Sequence, residues 1–271
     1  VKMIAVDRVV GGFKVSVLGI EAFFIRNRDD RADNRVINLN HSETFFPSIS
    51  EDLKLYREAL EISGMKWSDN VYKQLRVLSF LQLVREGVKR NPSGSFLELG
   101  VWKGLSAFMI GKVIRDEFGS TQKIILVDSF EGGLSDKSAQ DANLVYDQNT
   151  QEILAEKMQF SSSRSETQSV MVAFDNVEII EGWVPDVLEQ IDKTEDFAFI
   201  HFDMDLYEPT IGSLEALWDR VQSRGILVFD DYNSTQFPGV TRAVEDFVEI
   251  REDEIDLFYE VPFGSSWIIK K

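Results

Sequence analysis

The chain has 271 residues, of which 44% are hydrophobic and 28% charged, so it can bury a sizeable core and is neither a minimal module nor a disordered tail. A formal charge of −17 repels the phosphates of nucleic acid and the anionic face of a membrane, and neither is an expected partner. Cysteine is absent and histidine occurs only twice, which excludes disulfides and thiolate metal sites and leaves oxygen ligands for any metal, hence a hard cation.

Two short apolar runs open the chain, followed by a polar stretch in which Arg26, Arg28, Arg31 and Arg35 interleave with Asp29, Asp30 and Asp33. The longest of these runs, Val15 to Ile25, is broken by Glu21, falls well short of the ~20 residues a membrane span needs and carries no small-residue cleavage site, so a cytoplasmic protein is expected. Residues 1–49 read as an N-terminal extension and 50–271 as one domain. Within it, Leu53, Tyr56 and Leu60, then Val71, Leu75, Leu78, Leu81 and Val84, recur at helical spacing, which predicts two or three helices before residue 90.

After the turn cluster Asn91-Pro92-Ser93-Gly94, short apolar runs alternate with longer amphipathic segments. Ser95 to Leu99, Lys123 to Val127, Val177 to Ile180, Phe197 to Phe202 and Gly225 to Phe229 read as buried parallel strands, with helices such as Gly104 to Phe118 and Ile211 to Val221 between them. Ile255 to Val261 and Ser266 to Lys270 flank Pro262-Phe263-Gly264 as an antiparallel hairpin. The expected fold is therefore α/β: a doubly wound, mainly parallel, seven-stranded sheet with a C-terminal hairpin and an N-terminal helical extension. That is the strand inventory of a Rossmann-like class I methyltransferase, and a dinucleotide-binding domain predicts nearly the same runs. The long segment 131–165 reads as a lid or a surface insertion.

Acidic residues gather where four of the five predicted strands end: Glu98 beside Gly100, Asp128, Asp203 with Asp205, and Asp230 with Asp231. In open α/β sheets those ends form the ligand crevice, although polar residues also stand there simply because buried chain meets water. In the first turn Gly100 and Gly104 permit a tight bend, while Trp102 replaces the middle glycine of a dinucleotide fingerprint and would crowd a pyrophosphate. An unphosphorylated adenosine group fits better. Asp128 can accept from both ribose hydroxyls, and Trp183 after Gly182 offers either an aromatic wall to adenine or a core side chain. Asp203 and Asp205 project to one side if the strand persists and repel one another unless a cation or a proton intervenes; helix capping is the alternative for Asp205 and Asp231.

Phe96-Leu97-Glu98-Leu99-Gly100-Val101-Trp102-Lys103-Gly104, Asp128-Ser129-Phe130-Glu131-Gly132, Gly182-Trp183 ahead of Asp186, His201-Phe202-Asp203-Met204-Asp205-Leu206-Tyr207 and Asp230-Asp231-Tyr232 together resemble the macrocin O-methyltransferase family. The resemblance implies Mg²⁺-dependent transfer of a methyl group from S-adenosylmethionine to a hydroxyl of a sugar or glycosylated natural product, and a homo-oligomer. It assigns Asp203, Asp230 and Asp231 as metal ligands and Asp205 as general base. Glu98, Gly100 and Asp128 match cofactor-binding positions, and the expected cofactor set extends to Val101, Gly104, Ser106, Ser129, Gly182 and Trp183. Competing readings are a catechol-type O-methyltransferase, a nicotinamide oxidoreductase and a non-catalytic adenosine-binding protein.

Overall fold

A computed structural model of the chain describes residues 4–9, 12–17, 20–25, 47–66, 69–142, 160–261 and 264–271. Where the first residues show only apolar runs in sequence, the structure has a three-stranded antiparallel meander of β1 (Ile4–Val9), β2 (Gly12–Val17) and β3 (Ile20–Ile25). These segments are rich in β-branched and aromatic residues, which favour a pleated backbone. The helices expected before residue 90 are α1 (Pro47–Ile62) and α2 (Val71–Arg90). Asn70 starts α2 by accepting from the Lys73 amide at 3.0 Å, and Lys89 and Arg90 in its last turn suit the negative end of the helix dipole. Arg85 of α2 fastens the two helices together through Asp52, which is 3% exposed, and reaches Glu117 at 2.6 Å.

The remaining elements are β4 (Ser95–Leu99), α3 (Leu105–Lys112), β5 (Ile124–Asp128), α4 (Arg164–Val170), β6 (Val177–Glu181), β7 (Phe197–Phe202), α5 (Tyr207–Leu217), β8 (Val221–Asp230), α6 (Pro238–Arg251), β9 (Ile255–Val261) and β10 (Ser265–Lys270). They form a seven-stranded sheet in the order β6-β5-β4-β7-β8-β10-β9. Neighbours from β6 to β8 are parallel, and β10 runs antiparallel to both β8 and β9. Every residue of β4 and β7 is buried because helices cover both faces, which is why these strands read as apolar runs rather than as alternating patterns. Phe96, Phe199 and Ile226 pack with α2 and α3 on one face; Leu97, Ile200 and Leu227 pack with Leu214, Val244 and Phe247 of α5 and α6 on the other.

β8 begins four residues ahead of its apolar run. Its first half pairs irregularly with β7, Ser223 and Arg224 face solvent, and Arg224 takes a positive φ of 66°, so no apolar signal marks it. The chain order reverses between β4 and β7, and the ends of these two strands bound the crevice in which open α/β sheets bind ligands. Among the described residues, no helix is long and apolar enough to cross a membrane.

Candidate active site

The turn after β4 is built against the end of β7. Gly100 has φ +83°, and a Cβ there would stand 1.9 Å from the Asp203 carbonyl oxygen, so no other residue fits. The Asp203 amide donates to the Leu99 carbonyl at 2.9 Å, which closes the seam. Asp128, at the end of β5, stiffens the same turn: its Oδ2 accepts from the amides of Val101 and Trp102, both at 2.8 Å, and its Oδ1 from that of Phe130 at 2.9 Å. Asp128 also lines the cavity, and with both lone pairs of Oδ2 taken, Oδ1 keeps one for a ligand hydroxyl. The expected ribose acceptor is thus also the brace of the first turn.

Glu98 and Gly104 do not line the cavity. Gly104 begins α3 with φ +78°, and a Cβ there would meet Val170 at 3.3 Å. Glu98 is fully buried behind the cavity; its Oε1 accepts from the Ser106 hydroxyl and faces His201 Nδ1 at 3.0 Å, while its Oε2 is buried without a partner. Ser106 and His201 both line the cavity, so Glu98 reaches it through them. Burial alone would lower the His201 pKa, but the hydrogen bond and charge of Glu98 more than offset this and raise it.

Asp203, Asp205 and Asp231 bring ligand oxygens within 4.8 Å of one another. Asp205 and Asp231 adopt left-handed backbone angles, φ +64° and +57°, that turn the chain at each strand end. Burial, then the charge of Asp230, raises the Asp203 pKa well above the usual carboxylate range; burial and the charges of Asp231 and Asp203 do the same to Asp205. Asp231 is pushed up to about 6 by burial and by Asp230, with Arg76 opposing. Mutually repelling, half-enclosed carboxylates with oxygen donors alone fit a hard divalent cation.

Asp230 is oriented differently from its neighbour. Its Oδ1 lies 3.2 Å from Arg76 Nη1, whereas Asp231 is 3.9 Å from the same atom. Consecutive residues at a strand end face apart, so one carboxylate meets α2 and the other joins the cluster. The cluster therefore groups Asp205 with Asp203 and Asp231, where the sequence pattern pairs Asp230 with them. Arg76 is the residue that the sequence reading missed. The available signal is a cation one turn from Lys73 on the helix face shared with Val77 and Phe80, all of which line the cavity.

Val101, Ser129, Gly182 and Trp183 line the cavity as well. The Trp183 Nε1 donates to Glu131 Oε2 at 3.1 Å, which holds the indole 38% exposed at the edge. Of the segment 131–165, residues 143–159 lie outside the described residues; Leu134 and Phe160 from its two ends line the cavity, and Phe160 makes an edge contact with Trp102 at 5.6 Å. One cavity of about 210 Å³ is thus lined by Asp128 on the β5 side of β4 and by Asp203, Asp205 and Asp231 on the β7 and β8 side.

Comparison with known proteins identifies the family. The family model described as Macrocin-O-methyltransferase (TylF) matches residues 62–259. A demethyldecarbamoylnovobiocin O-methyltransferase of Streptomyces niveus is 24% identical over 184 residues, covering 65% of this chain and 68% of that protein. An 8-demethyl-8-(2,3-dimethoxy-alpha-L-rhamnosyl)-tetracenomycin-C 4'-O-methyltransferase of Streptomyces olivaceus is 31% identical over 143 residues, covering 51% of this chain and 53% of that one. Among solved structures, the O-methyltransferase NovP superposes with a TM-score of 0.60 at 22% identity, covering 80% of this chain and 89% of NovP. The calicheamicin methyltransferase CalS11 shares the fold, with a TM-score of 0.53 at 18% identity over 81% of this chain and 92% of its own. The chain belongs to the macrocin-O-methyltransferase family of S-adenosylmethionine-dependent O-methyltransferases.

Proposed function

We propose that this protein transfers a methyl group from S-adenosylmethionine to a hydroxyl of a sugar or glycosylated natural product, with Mg²⁺ held at the acidic end of the cavity. The observation that carries this reading is the shared cavity: Asp128 and the Asp203 cluster open into the same space, so a nucleoside-holding end and a cation-holding end lie side by side. The names of the two relatives, a demethyldecarbamoylnovobiocin O-methyltransferase and a rhamnosyl-tetracenomycin-C 4'-O-methyltransferase, support a natural-product acceptor, glycosylated in the second case.

When bound, S-adenosylmethionine supplies a methyl group on a sulfonium, and Mg²⁺ supplies positive charge that makes a nearby alcohol easier to deprotonate. The chain's own residues do the rest. Asp128 holds the Val101 and Trp102 amides in place through Oδ2 and offers the remaining lone pair of Oδ1 to a ribose hydroxyl. Asp203 and Asp231 would hold the cation, with Asp205 completing the cluster, while Asp230 is engaged by Arg76 next to it. Asp205 accepts the hydroxyl proton as the C–O bond forms and the C–S bond breaks, with its electron pair returning to sulfur. Asp205 is buried beside Asp203 and Asp231, within reach of a hydroxyl held at the same cluster, which places it to take the proton.

The test is mass-spectrometric detection of methyl transfer to a panel of rhamnosides, free sugars and sugar nucleotides, with Mg²⁺ or with a chelator. Methylated glycoside only in the presence of Mg²⁺ is the expected result. Product from catechols and none from any sugar would replace the acceptor class, and undiminished turnover in chelator would remove the metal. Asp205→Asn separates base from ligand: metal binding persists and turnover falls if Asp205 takes the proton, whereas both are lost if it is a ligand.

A further inference from the structure

We propose that Asp141, on the segment that follows β5, is a positioning residue that holds the loop from Asp203 to Tyr207 in place for the acidic cluster. This rests on the reading of that cluster as a cation and base site. Asp141 is 5% exposed and closes a short turn by accepting from the Ser138 amide and hydroxyl at 2.8 and 2.9 Å, both through Oδ2. Its other oxygen does something the turn does not require. Oδ1 accepts from the Tyr207 amide at 2.8 Å, across 66 positions of sequence.

Tyr207 is the first residue of α5 and stands two places after Asp205. Leu206, at the N-cap, has no side-chain acceptor to offer, so the amides at this helix end lack a local cap, and Asp141 supplies one from a distant segment. α6 leaves room for it: a Cβ at Gly239 would stand 1.8 Å from Asp141 Oδ1. Arg242, also on α6, donates to the carbonyls of Gln140 and Ala142, so the turn is fixed on both flanks of Asp141. Three segments far apart in sequence therefore converge on one carboxylate.

The loop being held needs such support. Asp205 has φ +64°, a conformation that costs a non-glycine residue roughly 1 kcal/mol or more and persists only where the surroundings enforce it. Upstream, the Asp203 amide is tied to Leu99 and its carbonyl rests against Gly100. Downstream, Asp141 on the Tyr207 amide is the matching tie, and Thr210 adds a hydroxyl bond to the Leu206 carbonyl at 2.7 Å. Release of the downstream tie lets Asp205 relax and spreads the carboxylates, while the cofactor turn keeps its own brace at Asp128.

The test measures Mn²⁺ binding by electron paramagnetic resonance, S-adenosylhomocysteine binding by calorimetry, and kcat and KM for an unmethylated acceptor that the wild type turns over. Asp141→Ala is expected to weaken Mn²⁺ binding by about tenfold and lower kcat, the size typical of losing an outer partner of a metal site, with S-adenosylhomocysteine binding within about twofold of wild type. Asp141→Asn, which keeps an oxygen for the Tyr207 amide, recovers part of the loss. Should Asp141→Ala fail to fold, Tyr207→Pro removes the donor instead. Proline is tolerated at the first helical position, and Leu206, at φ −125° and ψ 157°, already has the conformation that precedes it. Compared with Tyr207→Ala, which keeps the amide, Tyr207→Pro should reproduce the Mn²⁺ defect. A wild-type chain that takes up no Mn²⁺ overturns the cation reading and this inference with it. A wild type that binds, alongside Asp141→Ala or Tyr207→Pro that binds equally well, overturns this inference alone.

Discussion

The two ends of the cavity are built on opposite principles. At the proposed cofactor end, three backbone amides converge on the Asp128 carboxylate, which braces the first turn. At the acidic end, Asp203, Asp205 and Asp231 face one another, their proton affinities raised by burial and mutual repulsion. One end is preorganised by backbone amides gathered on one carboxylate; the other is under electrostatic tension that a cation would relieve. Elements on the same sheet can thus carry a rigid half and a responsive half, joined where Gly100 meets the Asp203 carbonyl.

That joint gives the largest expected effect. Gly100→Ala places a Cβ against backbone on the far side of the seam and should cost about 3 kcal/mol or more in stability, along with both S-adenosylhomocysteine and Mn²⁺ binding. Thermal melting and two titrations check it; loss at one end only would show the halves to be independent. Next, Asp203→Asn is expected to lower turnover by about 10²–10³-fold while S-adenosylhomocysteine binding stays within about twofold, which calorimetry beside steady-state rates will show.

The converse substitution, Asp128→Ala, unbraces the first turn. Hydrogen bonds to a charged group contribute about 1.5–3 kcal/mol each, so S-adenosylhomocysteine affinity should fall by about 10- to 100-fold with Mn²⁺ affinity unchanged. If Mn²⁺ affinity falls equally, the contrast between the two ends is false. The smallest effect is on metal-free stability. Folded Asp231 keeps its proton up to a pH of about 6, against 3.8 ordinarily, so between those values the folded chain binds a proton that the unfolded chain has released. Stability without metal should therefore fall as the pH rises through that window, and saturating Mg²⁺ should flatten the trend in melting curves.

Much of this is legible in the sequence because strands buried on both faces appear as apolar runs, and a carboxylate at the end of such a run marks where the chain leaves the core. Glu98, Asp128, Asp203 and Asp231 all stood out this way. Glu98 was legible as a position and not as a contact, since its burial behind Ser106 and His201 depends on how β4 and β7 pair. Asp230 and Asp231 were legible as a pair, but the side each takes depends on the backbone angle of Asp231 and on Arg76, which α2 delivers from far away in the sequence. Asp141 carried no signal at all, because its importance lies in the amide of a residue that it meets only when α5 and α6 are packed.

Composition and periodicity alone determined an acidic, cysteine-free α/β chain with its carboxylates at the strand ends, since burial and chain exit are properties of local runs. Tertiary structure alone decided which carboxylates face one another, which is shielded by Arg76 and which is turned into the backbone. Those outcomes depend on distances of a few ångströms between segments remote in sequence, and electrostatics and hydrogen bonding act at that range regardless of chain order.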